Sequence, residues 1–270
     1  MVSSRAPRPN PLPVYFGPPP AFLPAMDPIT ALAASGMRAR MESLELLANN
    51  IANASTGGYK ADREFYSLYI SPDASDSGAT STMPVIERQW TDYSQGELRV
   101  TGNALDIALS GKGFMAVDGP TGPLYTRNGS LRIAAGGKLT TSDGYPVRGA
   151  NGQPLTALDP SQPVEIANDG SISQSGALIG QIEIADFPTT AGLTKQGSNY
   201  FKINDASLRP GPAPGTFVHQ GHLEGSNTGS AEGAVRLVGV MRQFEMLQKA
   251  VGIAGDMNRK AVEEVARVGS

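Results

Sequence analysis

The C-terminal part of the chain carries the feature that most constrains its fold. No proline occurs from Ser230 to Val268, and small or apolar residues recur there at alternating intervals of four and three. The members of this stripe are Gly233, Leu237, Val240, Phe244, Leu247, Val251, Ala254, Asn258, Ala261, Val265 and Val268. A period of 3.5 residues is typical of a helix that packs lengthwise against another helix in a left-handed supercoil. The sequence therefore predicts one long C-terminal helix that requires a partner.

Asn258 is the single polar residue of this stripe. A polar residue in such a seam can fix the register of two helices at a cost in stability. The alternative is a solvent-facing position near a frayed helix end. The sequence leaves both interpretations open.

A second helix is predicted near the N-terminus, over Ile29 to Ile51. Asp27 is a suitable cap, and Pro28 suits the first helical position. Its apolar stripe has the spacing 3-4-3-4-3 and consists of Ala34, Met37, Met41, Leu44, Ala48 and Ile51. We expect a rod about 33 Å long for roughly 22 residues.

An asparagine-rich segment, which we call the elbow, ends this helix. It comprises Asn49, Asn50 and Asn53, followed by Gly57, Gly58, Tyr59 and Lys60. Asparagine and glycine tolerate left-handed backbone conformations, so the chain can leave the helix sharply here. An ordinary helix C-terminus would explain the glycines but not three asparagines within five residues.

Each helix must bury its apolar stripe. Ordering the backbone costs about 1–2 kcal/mol per residue, and a helix of this kind is not stable alone. Two arrangements satisfy the requirement: a helical hairpin within one chain, or helices that stay loose in the monomer and order when many copies stack. A head-to-tail contact that does not close produces a helical filament.

The middle of the chain, residues 61–220, has no helical pattern. Short apolar runs alternate with turn dipeptides, in keeping with 32 glycines and 21 prolines in the whole chain. The clearest runs are Gly113–Val117, Leu131–Ile133, Ile179–Ile184 and Tyr200–Ile203, and the dipeptides are Asn128-Gly129, Asp143-Gly144, Asn151-Gly152 and Asp169-Gly170. Such patterns favour antiparallel strands, with some dipeptides at hairpins. The predicted fold class is α+β, with a coiled-coil-like helical domain (26–60 and 221–268) and a central, mainly antiparallel β domain (61–220).

Residues 1–25 form a proline-rich extension. Nine prolines lie within residues 1–28, and Pro18, Pro19 and Pro20 are consecutive, which excludes a helix and favours extended or disordered chain. The segment is read as a tail, as an extension upstream of a start at Met26, or as a proline-rich ligand for a partner. Its prolines interrupt the apolar core that a signal peptide requires.

Composition excludes several classes of function. With no cysteine, the chain forms no disulfide and has no thiol chemistry. A net charge of −3 gives no basic field for nucleic acid, and no apolar run is long enough for a transmembrane helix.

His219, His222 and Glu224 are spaced as possible zinc ligands, but zinc needs three or four well-placed ligands and nothing else supports the site. Gly111-x-Gly113 precedes a predicted strand, whereas a dinucleotide fingerprint opens a helix. We predict no catalytic residue, cofactor or metal.

Four motifs in the correct order resemble the flagellar rod and hook proteins. They are Leu47–Lys60, with its Asn-Asn-Ile-Ala-Asn core; Asp92–Leu98 with Thr101-Gly102 and Leu105–Ala108; Gly111–Phe114 through Tyr125–Gly129; and Gln220–Asn227 before the last helix. The resemblance covers most of residues 26–268. Within the family, Met26–Pro28 and Arg242–Met246 are most similar to proximal rod members, with distal rod members as the second choice. His222 and residues 1–25 depart from the family pattern.

This resemblance implies a non-catalytic structural subunit of the flagellar basal-body rod, which crosses the periplasm and transmits torque from motor to hook. It implies export by the flagellar type III apparatus without a cleaved signal, and itself and other rod proteins as partners. The expected assembly seam consists of Met37, Met41, Leu44, Ala48 and Ile51, with Leu237, Val240, Phe244, Leu247, Val251, Ala254 and Asn258. The elbow is expected to redirect the chain toward the β domain. A distal rod or hook-type subunit and a peptidoglycan-acting periplasmic enzyme are the alternatives.

Overall fold

The computed structural model describes residues 28–70, 82–205 and 207–268. The expectations for residues 1–25 and for the cap at Asp27 lie outside these ranges. Within the described ranges, two helices flank a region of seventeen strands, which confirms the predicted α+β class and its central antiparallel domain. In the described part of the chain, neither helix is long and apolar enough to span a membrane.

Both predicted helices are present. Helix α1 covers Pro28–Ala52 and helix α2 covers Ser230–Val268. They run antiparallel, because Gly36 lies opposite Leu247 while Gly233 lies opposite Ile51. The helices therefore pair within one chain, which is the first of the two arrangements considered above.

The face of α1 that is buried within the chain differs by one position from the predicted stripe. Its buried residues are mostly small: Ala33, Gly36, Ala39, Ser43 and Asn50. Ala34 and Ala48 of the predicted stripe are exposed, Met37, Leu44 and Ile51 are half-buried, and Met41 is 50% exposed. Small residues let two helix backbones approach closely, so packing inside the chain selects them rather than the larger stripe.

On α2 the predicted stripe does face the interior of the hairpin. Gly233 and Ala254 are buried, and the stripe residues between them are half-buried: Leu237, Val240, Phe244, Leu247 and Val251. Beyond Ala254, Asn258 and every other residue whose exposure is described is exposed.

A long antiparallel hairpin follows α1. Its strands are β1 (Asp62–Ile70) and β2 (Thr82–Thr91), with Asp62 opposite Thr91 and an irregularity in register between Phe65 and Tyr66. The hairpin lies against α1. It extends the β region to the base of the helices.

Six strands form the largest sheet. In spatial order they are β13 (Leu193–Gln196), β14 (Tyr200–Ile203), β6 (Gly122–Thr126), β5 (Phe114–Gly119), β12 (Ile184–Asp186) and β15 (Gly211–Pro212). Neighbouring strands are antiparallel. The strands predicted at Leu131–Ile133 and Tyr200–Ile203 are confirmed, and the run Ile179–Ile184 divides between β11 (Ala177–Gln181) and β12.

The other strands form small antiparallel groups. These are β3 (Leu98–Val100) with β17 (His222–Glu224), β4 (Ile107–Ser110) with β16 (Phe217–Gln220), β7 (Leu131–Ile133) with β8 (Leu139–Thr141), and β9 (Glu165–Ile166) with β10 (Ser171–Gln174) and β11 (Ala177–Gln181). Asp169-Gly170 lies in the β9–β10 turn, as a hairpin dipeptide should. Because early strands β3 and β4 pair with late strands β17 and β16, the first and last strands of this group bring the start and the end of the β domain to the same place.

The large sheet is buried on both faces. Along β5, Met115 and Val117 belong to one apolar cluster, while Phe114 and Ala116 belong to another. Side chains alternate across a strand, so consecutive apolar residues indicate cover on both sides. The second cluster is aromatic, and the Phe114 and Phe201 rings lie 5.6 Å apart nearly perpendicular to each other.

Candidate functional site

The helices join the β domain at one place, which we call the junction. The four sequence motifs meet there: the elbow, the loop 92–98, the turn 125–129 and the segment 220–227. The Gly58 amide donates to the Glu224 carbonyl at 2.8 Å, and the Gly225 amide donates to the Glu97 carbonyl at 2.8 Å. Residues distant in sequence thus form one structural unit.

Asn50 connects the end of α1 to the first strand. Its side-chain amide donates to the Asp62 carbonyl at 2.8 Å, and its side-chain oxygen accepts from the Asp62 amide at 3.1 Å. This pair of bonds satisfies the backbone of β1 as a neighbouring strand would. The Tyr59 hydroxyl donates to the same Asn50 oxygen at 2.8 Å, and both residues are buried.

Asn49 and Asn53 hold the elbow itself. The Asn53 side-chain amide donates to the Asn49 carbonyl at 2.9 Å, and the same carbonyl accepts the Asn53 backbone amide at 3.1 Å. The Asn49 side-chain oxygen lies 2.9 Å from the Tyr59 hydroxyl. All three elbow asparagines therefore have identifiable partners, in addition to the turn that the glycines allow.

Gly58 brings the elbow against the β domain. Its φ of +67° lies in the left-handed region, and a Cβ there would overlap the backbone of Arg127 and Asn128. No other residue type fits this combination of conformation and close approach. Gly58 therefore positions the two residues that follow it, Tyr59 and Lys60, inside the molecule.

Three charged side chains form a buried cluster at the centre of the junction. The Lys60 Nζ lies 2.5 Å from Glu224 Oε1, and an Arg127 Nη lies 3.1 Å from Glu224 Oε2. The side chains of Lys60 and Glu224 are fully buried, and that of Arg127 is 3% exposed. We call these three residues the ion triad; it joins the elbow, the β domain and the segment that leads into α2.

Backbone groups add further hydrogen bonds to the triad. The Gly96 amide donates to Glu224 Oε1 at 3.0 Å, Lys60 Nζ donates to the Ser94 carbonyl at 2.7 Å, and Arg127 donates to the Gly111 carbonyl at 2.5 Å. Burial lowers the pKa of the Lys60 ammonium, and the adjoining Glu224 carboxylate opposes that shift. Charges that are taken out of water need several such partners to be tolerated.

Asn227 closes the junction from the side of α2. Its side-chain oxygen accepts from the Ala61 amide at 2.7 Å, and its side-chain amide donates to the Asp92 carbonyl at 2.7 Å. It therefore holds the start of β1, the end of β2 and the segment before α2 together.

Lys195 is a junction residue that the sequence did not indicate. From the edge strand β13, its Nζ donates to the Lys60 carbonyl and contacts Asp62 Oδ2, both at 2.7 Å, and it lies 4.5 Å from the centre of the Tyr59 ring. No local motif surrounds it, and 133 residues separate it from Asp62. Only the folded topology reveals the contact.

Tyr59 is also electrostatically unusual. Burial, together with the carboxylate of Asp62, raises the pKa of Tyr59 to about 12. The phenol therefore keeps its proton, which the Asn49 and Asn50 side-chain oxygens share, to a higher pH than an exposed tyrosine would.

Helix α2 carries a second apolar face, which points away from the hairpin. Val235, Met246, Ile253 and Met257 are 75%, 62%, 61% and 63% exposed. They are separated by 11, 7 and 4 residues, which places them on one side of a helix with 3.6 residues per turn. Met246 is two residues from Phe244, so this outer face lies roughly opposite the predicted seam.

The possible zinc ligands do not converge. The rings of His219 and His222 lie 5.9 Å apart, and the His222 Nδ1 is 2.9 Å from the Gln220 carbonyl. Glu224 points into the ion triad instead. Among the described residues, no group of three side chains is arranged to hold a metal ion.

Three family models match the chain. Residues 32–60 match the model for flagella basal body rod protein, residues 108–174 match the flagellar hook protein FlgE/F/G D1 domain, and residues 219–264 match the flagellar basal body rod FlgEFG protein C-terminal model. Each matched segment contributes one member of the ion triad. The triad therefore joins the three parts of the chain that these models describe.

Curated relatives match along most of their length. The flagellar basal-body rod protein FlgG of Agrobacterium fabrum is 34% identical over 257 residues, covering 84% of this chain and 95% of the relative. FlgF of Caulobacter vibrioides is 29% identical over 246 residues, covering 90% of this chain and 100% of the relative. FlgG of Bacillus subtilis is 29% identical, covering 84% and 95%. Both FlgF and FlgG thus occur among the similar proteins.

Proposed function

Given that the chain belongs to the flagellar basal-body rod protein family, we propose that its subunits assemble through the outer face of α2 and the assembly seam, while the junction holds helices and β domain at a fixed angle. As a family member it is a structural subunit of the rod, the part of the basal body that spans the periplasm, and it interacts with other axial proteins of the flagellum.

The proposal rests on the two apolar faces of α2, one on each side of the helix. A helix with apolar residues on one side is satisfied by one partner, whereas α2 has α1 on one side and exposed apolar residues on the other. Filling the second side requires helices from neighbouring subunits. The last turns of α2, beyond Ala254, are also exposed, so we expect neighbouring subunits to cover them as well.

The junction suits the transmission of torque. A subunit that passes torque must not bend where its helices meet its β domain. The ion triad and the asparagine bonds cross this boundary with short, buried contacts, so rotation of one part must carry the other part with it.

We assign the subunit to the proximal rod, with a distal rod or hook-type role as the alternative. The segments Met26–Pro28 and Arg242–Met246 support this assignment, while relatives of both types match. We further propose export by the type III apparatus and a purely structural role without catalysis. A proximal subunit should be present in basal bodies purified from cells that lack the distal rod protein, whereas a distal subunit should be missing from them.

The assembly proposal predicts a selective defect for Ile253→Asp. The side chain is 61% exposed, so a carboxylate there leaves the isolated subunit folded but cannot enter an apolar contact between helices. We expect cells carrying this variant to lose most of their motility and rods to lack the subunit, with an unchanged circular dichroism spectrum of the purified protein.

Ala234→Asp is the matched control. Ala234 is exposed on the same helix and lies between Gly233 and Val235, about 100° around the helix from each, so this variant should assemble and support motility. Normal motility with Ile253→Asp would contradict the assembly proposal.

A further inference from the structure

A groove lies beside the junction, between strand β2 and the edge strand β13. Its volume is about 700 Å³. Trp90 and Tyr93 line it together with Thr91, and the opposite wall runs from Thr189 to Lys195. The groove lies outside the three segments that the family models match.

The lining combines exposed ring surface with hydroxyl groups. Trp90, the only tryptophan of the chain, is 46% exposed. The ring of Tyr93 is held in place by the Phe201 ring at 5.2 Å. The hydroxyl donors along the groove are Thr189, Thr190 and Thr194, whereas the Thr91 hydroxyl donates to Asp62 Oδ1 at 2.7 Å.

Strand β13 adds a second source of donors. It is the first strand of the six-stranded sheet and pairs only with β14 among the described strands. The outer side of an edge strand presents backbone groups that its own sheet does not use. A ligand with many free carbonyl groups and flat apolar surfaces matches such a wall.

We propose that this groove binds the proline-rich N-terminal segment of the same chain, through the alternating prolines Pro7, Pro9, Pro11 and Pro13. Proline-rich segments favour the polyproline II helix, which has no internal hydrogen bonds and leaves its carbonyls available. Its pyrrolidine rings stack on tryptophan and tyrosine, and its carbonyls accept from hydroxyl and amide donors. The inference does not depend on the assembly proposal.

The length of chain before α1 is sufficient to reach the groove. Helix α1 has 25 residues and therefore spans about 37 Å. Its far end is beside the groove, because Asn50 bonds to Asp62, which lines it. At about 3.1 Å per residue, roughly 12 residues of polyproline II bridge this distance. Residues before about position 16 can then occupy the groove, whereas Pro18–Pro20 cannot.

The single tryptophan makes the test direct. The full chain is compared with a chain that starts at Met26, both checked for equal helix and strand content by circular dichroism. We expect the emission of Trp90 in the full chain to lie several nanometres to the blue and its quenching by acrylamide to be at least twofold weaker. Adding a synthetic peptide of residues 5–17 to the shortened chain should restore both signals.

Two substituted full-length chains serve as matched variants. Replacing Pro7, Pro9, Pro11 and Pro13 by alanine should give the emission of the shortened chain, while replacing Pro18, Pro19 and Pro20 by alanine should not change it. Identical emission and quenching in the full and shortened chains would overturn the proposal. A shift that disappears on dilution would overturn binding within the same chain and would assign the groove to the proline-rich segment of a second copy. Mass spectrometry that shows the native protein to begin at Met26 would also overturn the proposal.

Discussion

At the scale of single residues, Glu224 has the most demanding surroundings in the molecule. Its two oxygens contact the buried cations of Lys60 and Arg127, and one of them also accepts the Gly96 amide. Without its charge, two cations would face each other away from water. Removing one partner of a buried ion pair typically costs about 3–5 kcal/mol, because the remaining charge is uncompensated.

We therefore predict that Glu224→Gln lowers the free energy of unfolding by about 3–5 kcal/mol. The amide keeps the shape of the side chain, so the loss reports the charge. Urea unfolding at pH 7 measures it. Glu97→Gln is the control, because the ion pair of Glu97 with Arg99 is 72% and 70% exposed and its loss should change stability by less than about 0.5 kcal/mol. Equal effects of both variants would show that the buried triad is not a stabilising centre.

Tyr59 gives the junction a defined response to alkali. Its pKa is raised from 10.0 to about 12, so the folded state binds the phenolic proton more tightly than the unfolded state. This contribution to stability is complete below pH 10 and is lost as the pH rises from 10 to 12. We predict that the free energy of unfolding declines across this range.

The measurement is urea unfolding at pH 9, 10 and 11, accompanied by absorbance of tyrosinate near 295 nm. Tyr59→Phe should be less stable at pH 9, because it loses the hydroxyl proton that the Asn49 and Asn50 side-chain oxygens share, but should decline less steeply with pH. Tyr93, whose pKa burial also raises to about 12, accounts for part of the remaining slope. The same slope in both proteins would show that Tyr59 ionises freely in the folded state.

At the scale of elements, the helix pair depends on the close approach of α2 to α1. A Cβ at Gly233 would lie 2.7 Å from Ile51 Cγ1, whereas a Cβ at Gly239 would meet no atom within 4 Å. The same substitution should therefore have opposite effects at two positions of one helix.

We predict that Gly233→Ala destabilises the chain by about 1 kcal/mol, because overpacking outweighs the gain in helix propensity. Gly239→Ala should stabilise it by up to about 1 kcal/mol, since only propensity changes there. Thermal and urea unfolding of the two variants measure the difference. Stabilisation by both would indicate that the helices do not pack closely within one subunit.

Elements with a local signal were predictable from the sequence, and contacts between distant residues were not. The proline-free stripe indicated α2 to its last residue, and the asparagines and glycines of the elbow indicated the end of α1. The burial of Ser43 rather than Leu44 was not predictable, because spacing alone does not say how closely a partner helix approaches. The partnership of Lys60 with Glu224 was also hidden, since 164 residues separate them.

At the scale of the whole molecule, the junction also bears on where the β domain can be cut. The boundaries expected from the sequence, 61–220, exclude Lys60 and Glu224 and remove β17, the partner of β3. Arg127 would then be a buried cation without its carboxylate. The range 57–228 keeps the triad and Asn227.

We predict that a fragment of residues 57–228 folds cooperatively, whereas a fragment of residues 61–220 melts at least about 10 °C lower or fails to fold. The shift follows from a loss of several kcal/mol in a domain of this size. Near-ultraviolet circular dichroism during heating measures both. Equal melting temperatures would show that the β domain does not need Lys60 and Glu224 for its stability.

The unequal lengths of the two helices have a consequence for growth. The last turns of α2 protrude past Ala254 with their described residues in solvent. In a shaft built from such subunits, we expect each added subunit to cover the protruding α2 ends of the subunits before it and to leave its own α2 end in solvent. The subunits added last then have the fewest contacts, so we expect such a shaft to lose subunits only from its growing end.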